Sequence, residues 1–189
     1  SALYRELSRL LPSYNISLAI AEGTFEDDYG VGAHFESLAL KPGPKQKHQL
    51  TVDFHVSVIK LARAVAMHKP RLIYGTGQGG LIALGYSHPG FLEAVMASRN
   101  VQPPELPELC QSWGNVAAVV IHQPRLSKVG IQLDMLRQSA SPLFEDYPVA
   151  SRRVFSWKDP NIPHYNETKQ LLTAAHVEMV EDFGSLPLE

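Results

Sequence analysis

Four glycines, at 75, 77, 79 and 80, stand between Leu72-Ile73-Tyr74 and Leu81-Ile82-Ala83-Leu84. No other feature constrains the fold as much. Glycine is used where the backbone turns sharply or where two backbones approach too closely for a Cβ. An apolar run enters this glycine cluster and a second apolar run leaves it. The pattern predicts a short strand at 72–74, a tight turn, and a helix over 79–86, which could continue past His88-Pro89 into 91–97.

The rest of the chain repeats this alternation. Leu3, Leu7, Leu10 and Leu11 fall at helical spacing over 2–11, and Pro12 stops that helix. Residues 16–21 (Ile-Ser-Leu-Ala-Ile-Ala) have the composition of a buried strand. The acidic stretch 22–32 and the Pro42-Gly43-Pro44 stretch within 38–48 are expected to be loops. A long helix is expected over 51–68, with Val52, Val56, Ile59, Ala62 and Val65 on one face. Residues 116–121 (Val-Ala-Ala-Val-Val-Ile) are the most strand-like run in the chain. Further strands are expected at 153–157 and 177–180, with a helix over 167–175 between them. Residues 91–97 fit either a helix or a strand. The prolines at 103, 104 and 107 mark a connection, which could cap a site or meet a partner. Strands alternating with helices predict one α/β domain over residues 1–189, a mostly parallel sheet flanked by helices.

Composition narrows the function classes. With 17 Lys and Arg against 19 Asp and Glu, the formal charge is −2. No basic stripe is present, so nucleic acid is not an expected partner. No apolar run reaches the roughly 18 residues of a membrane helix, and no signal-peptide pattern is seen. Cys110 is the single cysteine, so no disulfide can form within the chain. That fits a reducing compartment, and an intracellular, cytoplasmic location is the expectation. Cys110 has no basic neighbour in sequence and is expected to be a half-buried hydrophobe. No His pair has metal-ligand spacing on a helix, and neither a metal nor a cofactor is expected.

Gly75-Thr76-Gly77-Gln78-Gly79 has the frame of a nucleophile elbow, G-x-S-x-G, with glycine at the serine position. The Gly80-Leu81-Ile82-Ala83-Leu84 continuation and Ser87-His88-Pro89 fit the elbow helix and its end. The chain resembles the α/β-hydrolases, in the neighbourhood of small serine hydrolases and thioesterases. In that resemblance the strand before Lys158-Asp159-Pro160 delivers the triad acid, at Asp159. The final strand and its loop, Glu178-Met179-Val180-Glu181-Asp182-Phe183-Gly184-Ser185, place Ser185 where the family carries histidine. The vestigial triad positions are therefore Gly77, Asp159 and Ser185. A Ser-His-Asp system needs a hydroxyl, a base and an orienting carboxylate, and only the last has a candidate here. The resemblance implies an inactive domain that binds a small molecule or another protein chain, with an oligomer compatible. It also implies that the first strand or strands of the family's sheet are missing, or that the chain belongs to a larger protein. Gly75, Thr76, Gln78, Gly79, His122 and Gln123 are the candidate ligand-binding residues. His122 follows the 116–121 run, and open α/β sheets bind ligands at the carboxyl ends of strands.

Two other readings use the same residues. Gly75-Thr76-Gly77-Gln78-Gly79-Gly80 also fits the dinucleotide fingerprint G-x-G-x-x-G. It would hold a pyrophosphate at the helix N-terminus, with Glu93 on the ribose. Arg99 would suit a 2′-phosphate only if 91–97 is a strand. The third reading is an active hydrolase or acyltransferase with a rearranged site. His122, His164 or His176 would be the base, and Cys110 or Ser156 the nucleophile. Asp53 is expected to be a first-turn carboxylate of the long helix. Glu22, Glu26, Asp27 and Asp28 read as a solvated acidic loop. Trp113 and Trp157 are expected in the core or a pocket wall.

Overall fold

The computed structural model describes residues 9, 17, 19, 25–26, 32–33, 44–102, 104–124, 152–156 and 178–180. The chain has α/β character. Two short strands, β1 (Phe25–Glu26) and β2 (Gly32–Ala33), pair antiparallel. Helix α1 (Pro44–His68) leads into β3 (Leu72–Gly77), and α2 (Gln78–Ser87) follows with no residue between. Next come α3 (Pro89–Ser98), α4 (Glu105–Trp113), β4 (Ala118–Pro124), β5 (Arg152–Ser156) and β6 (Glu178–Val180). Strands β3, β4, β5 and β6 form one sheet in that order, every neighbouring pair parallel.

Helix α2 is the centre of the core. It packs on both β3 and β4, and α1 and α3 pack on it in turn. Every residue from Gly80 to Ser87 is buried. A helix that is apolar all round has no solvent face to offer. Leu81, Ile82 and Leu84 are each 1% exposed or less, and burying side chains of this size contributes about 1.5–3 kcal/mol apiece. On β3, Ile73 and Gly75 are buried while Leu72, Tyr74 and Thr76 are exposed. The period of two puts the first pair under α2. Leu72 and Tyr74, 56% and 43% exposed, lie on the opposite face.

Several expectations need correction. Helix α1 starts at Pro44, inside the stretch read as a loop, because proline suits a first helical position where its missing N–H costs nothing. Asp53 therefore lies in the helix interior and not in its first turn. The buried face of α1 is Phe54, Val58, Ile59, Ala62, Val65 and Ala66, while Val56 is exposed. Residues 91–97 belong to helix α3, started by Pro89 after the cap residue His88, whose Nδ1 accepts from Phe91 N–H at 3.3 Å. The proline-rich connection contains α4. Pro107 is tolerated there because it lies in the first turn. Strand β4 begins at Ala118, two residues late, since Ala117 and Ala118 both donate to Arg71 O on the way in. Ser17 and Ala19, within the expected strand 16–21, are exposed and outside regular structure. Apolar composition makes a strand only beside a partner strand, and neither residue has one among the described residues. The acidic stretch 22–32 contains β1 and the first residue of β2. The expected helix at 167–175 and Trp157 lie outside the described residues, as does most of the expected helix at 2–11, where Arg9 alone is described and is helical.

Candidate functional site

The junction between β3 and α2 is made by one residue. Gly77 ends the strand and caps the helix, with φ 57° and ψ −121°. Side-chain-bearing residues rarely adopt this conformation, and glycine adopts it at little cost. A Cβ built on Gly77 meets nothing within 4 Å among the described residues. Among the described residues, then, Gly77 is constrained by its backbone and not by neighbouring atoms. Gly75 differs. A Cβ there would collide with the Gly79 carbonyl oxygen and stand 2.8 Å from the Ala83 Cβ. Its missing side chain lets α2 lie directly on β3.

The sheet brings the other candidates to the same edge. Thr76 is in register with His122 of β4, which is in register with Ser156 of β5. The next pair is Gly77 with Pro124, so Gln123 is an extra residue on β4. Such a bulge increases twist and re-aims the strand locally. It falls beside the elbow tip. Thr76 is exposed, Gln78 and Gly79 are partly buried, and Gly75 is buried. The N-terminus of α2, the positive end of its dipole, meets the strand ends at Gly77. Tyr74 and Thr76 share the exposed face of β3, and a hydrogen bond links them. Burial, the larger effect, raises the Tyr74 phenol, and that hydrogen bond offsets it in part. Asp159 and Ser185 lie outside the described residues. Asp159 is the third residue after β5 ends and Ser185 the fifth after β6 ends.

Of the other candidates, the register sets His122, a candidate base, beside Ser156, a candidate nucleophile, on the neighbouring strand. Cys110 on α4 is buried, and its thiol is pushed up by burial and by the nearby Glu93 carboxylate. A thiol so placed is a poor nucleophile. His164 and His176 lie outside the described residues. Ser98 and His55 do meet, Oγ to Nδ1 at 3.5 Å. However, the Ser98 hydroxyl donates its proton to Val95 O at 2.8 Å. His55 cannot then accept it as a base would. Burial and the neighbouring Arg99 hold His55 below its ordinary value of 6.5. Arg99 itself caps α3 and donates to Val52 O at 3.1 Å. Because 91–97 is helical, Arg99 does not follow a second strand and loses the role proposed for it with a 2′-phosphate. Among the described residues no group of three His, Cys, Asp or Glu could hold a metal ion, and no helix is long and apolar enough to cross a membrane.

Helix α4 is an element that the proline-rich stretch concealed in the sequence. Leu106, Leu109, Cys110 and Trp113 follow the i, i+3, i+4, i+7 spacing of a buried helical face. Glu105 and Glu108 sit in the first turn, where the dipole favours them. That signal was legible beneath the prolines. Trp113 Nε1–H donates to Tyr86 O at 3.0 Å and so holds the far end of α2. Glu105 also pairs with Arg63 of α1 through both carboxylate oxygens.

Comparison with protein-family models, with curated proteins and with solved structures finds no match to this chain.

Proposed function

We propose that this chain is an α/β-hydrolase-like domain that is catalytically silent and works by binding a small molecule or another protein chain. The observation that carries the reading is Gly77, with φ 57° and ψ −121° at a strand-to-helix junction that has no intervening loop. An elbow of that kind exposes its tip residue above the sheet, and the N–H of the next residue contributes to an oxyanion site. Here the next residue is Gln78, and the tip has no hydroxyl. The chain order also supports the reading. In sequence, Asp159 and Ser185 come soon after β5 and β6, which run parallel in the same sheet as β3. A carboxylate without a hydroxyl or an imidazole to orient performs no acyl transfer. A cytoplasmic location belongs to the same reading and is motivated by the lone cysteine.

The dinucleotide reading fits this geometry less well. Gly75 lies within β3 and beneath α2, so its backbone faces the helix and not an open phosphate cradle.

Assays with p-nitrophenyl acetate and a short acyl thioester test the proposal. The expected rate is that of buffer, and Gly77→Ser alone remains inactive because no base stands at position 185. Turnover by the unmodified chain that disappears in Asp159→Asn would defeat the proposal. Millimolar NAD(H) or NADP(H) is expected to leave the melting temperature unchanged, since only a ligand that binds the native state raises it.

A further inference from the structure

Strands β3, β4, β5 and β6 stand in the sheet in the order in which the chain makes them, all parallel. The chain therefore steps across the sheet three times in one direction. Crossovers between parallel strands are almost always right-handed, and for one strand direction and one step direction that hand fixes the face on which a connection runs. The first connection carries α2, on the face of Ile73, Gly75, Val119 and Ile121. The same hand assigns the connections from β4 to β5 and from β5 to β6 to that face. The helices α1 to α4 all gather there, with α2 on the sheet, α1 and α3 on α2, and α4 on α1.

The opposite face is left without a layer among the described residues. On β3 it carries Leu72 and Tyr74, 56% and 43% exposed. The register carries it onward. Val120 stands beside Tyr74 and is partly exposed, whereas its chain neighbours Val119 and Ile121 are 2% and 0% exposed. Val154 of β5 and Glu178 of β6 continue that row, and Arg152 stands beside Ala118 in the row of Leu72. All-parallel sheets occur almost only with both faces covered, and an open apolar patch with charges at its rim marks an interaction site. Folded on itself, the chain leaves Leu72 and Tyr74 open, so the cover comes from outside it. One Arg and one Glu occupy register positions on this face. A partner of a single charge sign would suit only one of them, whereas a second copy turned about a two-fold axis suits both, because each contact is then made twice with the roles exchanged. We infer that two copies of this chain pair through the sheet face opposite α2, with Leu72, Tyr74 and Val120 at the centre and Arg152 of each copy toward Glu178 of the other. The inference does not rest on the proposed function: a monomer would leave the silent elbow standing, and ester turnover would leave the dimer standing.

Sedimentation velocity of the 189-residue chain, from micromolar to sub-millimolar concentration, tests it. The expected result is a reversible monomer–dimer equilibrium. Tyr74→Lys should abolish the dimer with an unchanged circular dichroism spectrum. Arg152→Glu alone and Glu178→Arg alone should each weaken self-association by at least about tenfold, since like charges then meet twice. An equimolar mixture of those two variants should recover a heterodimer, because opposite charges meet again at both positions. A chain that stays monomeric overturns the inference and leaves the face to residues 1–43 or to a different protein. A dimer that survives Tyr74→Lys, or a mixture that fails to recover association, overturns it as well. If Tyr74→Lys fails to fold, the charge-reversed pair and its mixture decide.

Discussion

Gly75 and Gly77 stand two residues apart on one strand, and they are glycines for opposite reasons. At Gly75 the space is taken, since the Gly79 carbonyl and the Ala83 methyl occupy the volume of a side chain. At Gly77 no described residue occupies that space, but the backbone has a positive φ. The first glycine serves packing and the second serves direction. A sequence motif of alternating glycines does not separate these two demands, although they have different energetic consequences.

The largest expected effect comes from breaking the first demand. Gly75→Ala puts a methyl against a backbone carbonyl that cannot rotate away. Overpacking of this kind costs about 1–3 kcal/mol, occasionally more. Denaturant unfolding should place the variant at or above the top of that range, with β3 and α2 forced apart. A cost under about 0.5 kcal/mol, the usual scale of a surface substitution, would mean that α2 does not lie on β3 as described. Gly77→Ala tests the second demand. Its methyl meets no described residue, so the positive φ is what opposes it, at about 1–3 kcal/mol on the scale of single-residue backbone strain. The account requires Gly77→Ala to be the milder of the two in the same titration, and the reverse order would break the comparison.

A smaller effect concerns pH, away from the elbow. The folded His55 pKa lies below 6.5, from burial first and Arg99 second. The unfolded chain then binds more protons than the folded one in the window between the two values. Stability should rise with pH through that window and flatten above about pH 7. Denaturation midpoints measured between about pH 5 and 7.5 should show this slope, reduced in His55→Gln. An unchanged slope in the variant would assign the dependence to other groups.

The elbow was legible because its signal is local. Strand, glycines and apolar helix follow one another within 16 residues, Leu72 to Ser87, and each needs only its neighbours to be read. Where that helix ends was less so, since 91–97 could continue it past His88-Pro89. Helix α3 was ambiguous because Phe91, Leu92, Val95 and Met96 suit either structure, and the deciding element was the cap at His88 with Pro89 behind it. The start of α1 was misread because Pro-Gly-Pro signals a turn and Pro44 also suits a first helical position. The bulge at Gln123 left no trace in sequence. It arises from the pairing of β4 with β3 near Gly77, a non-local demand. The Tyr86–Trp113 contact is similarly non-local, joining residues on α2 and α4.

The most direct test of the elbow is to give its tip a reporter. In Gly77→Cys the introduced thiol would stand clear of every described residue at a helix N-terminus, a setting that lowers thiol pKa values and favours the thiolate. Cys110, 3% exposed, serves as the internal control. With iodoacetamide at neutral pH, the account predicts rapid single modification at position 77 and protection at Cys110. Protection of the introduced thiol in the folded variant, or modification of Cys110 first, would contradict an open tip at this bend and remove the ground for reading the chain as a silent hydrolase relative.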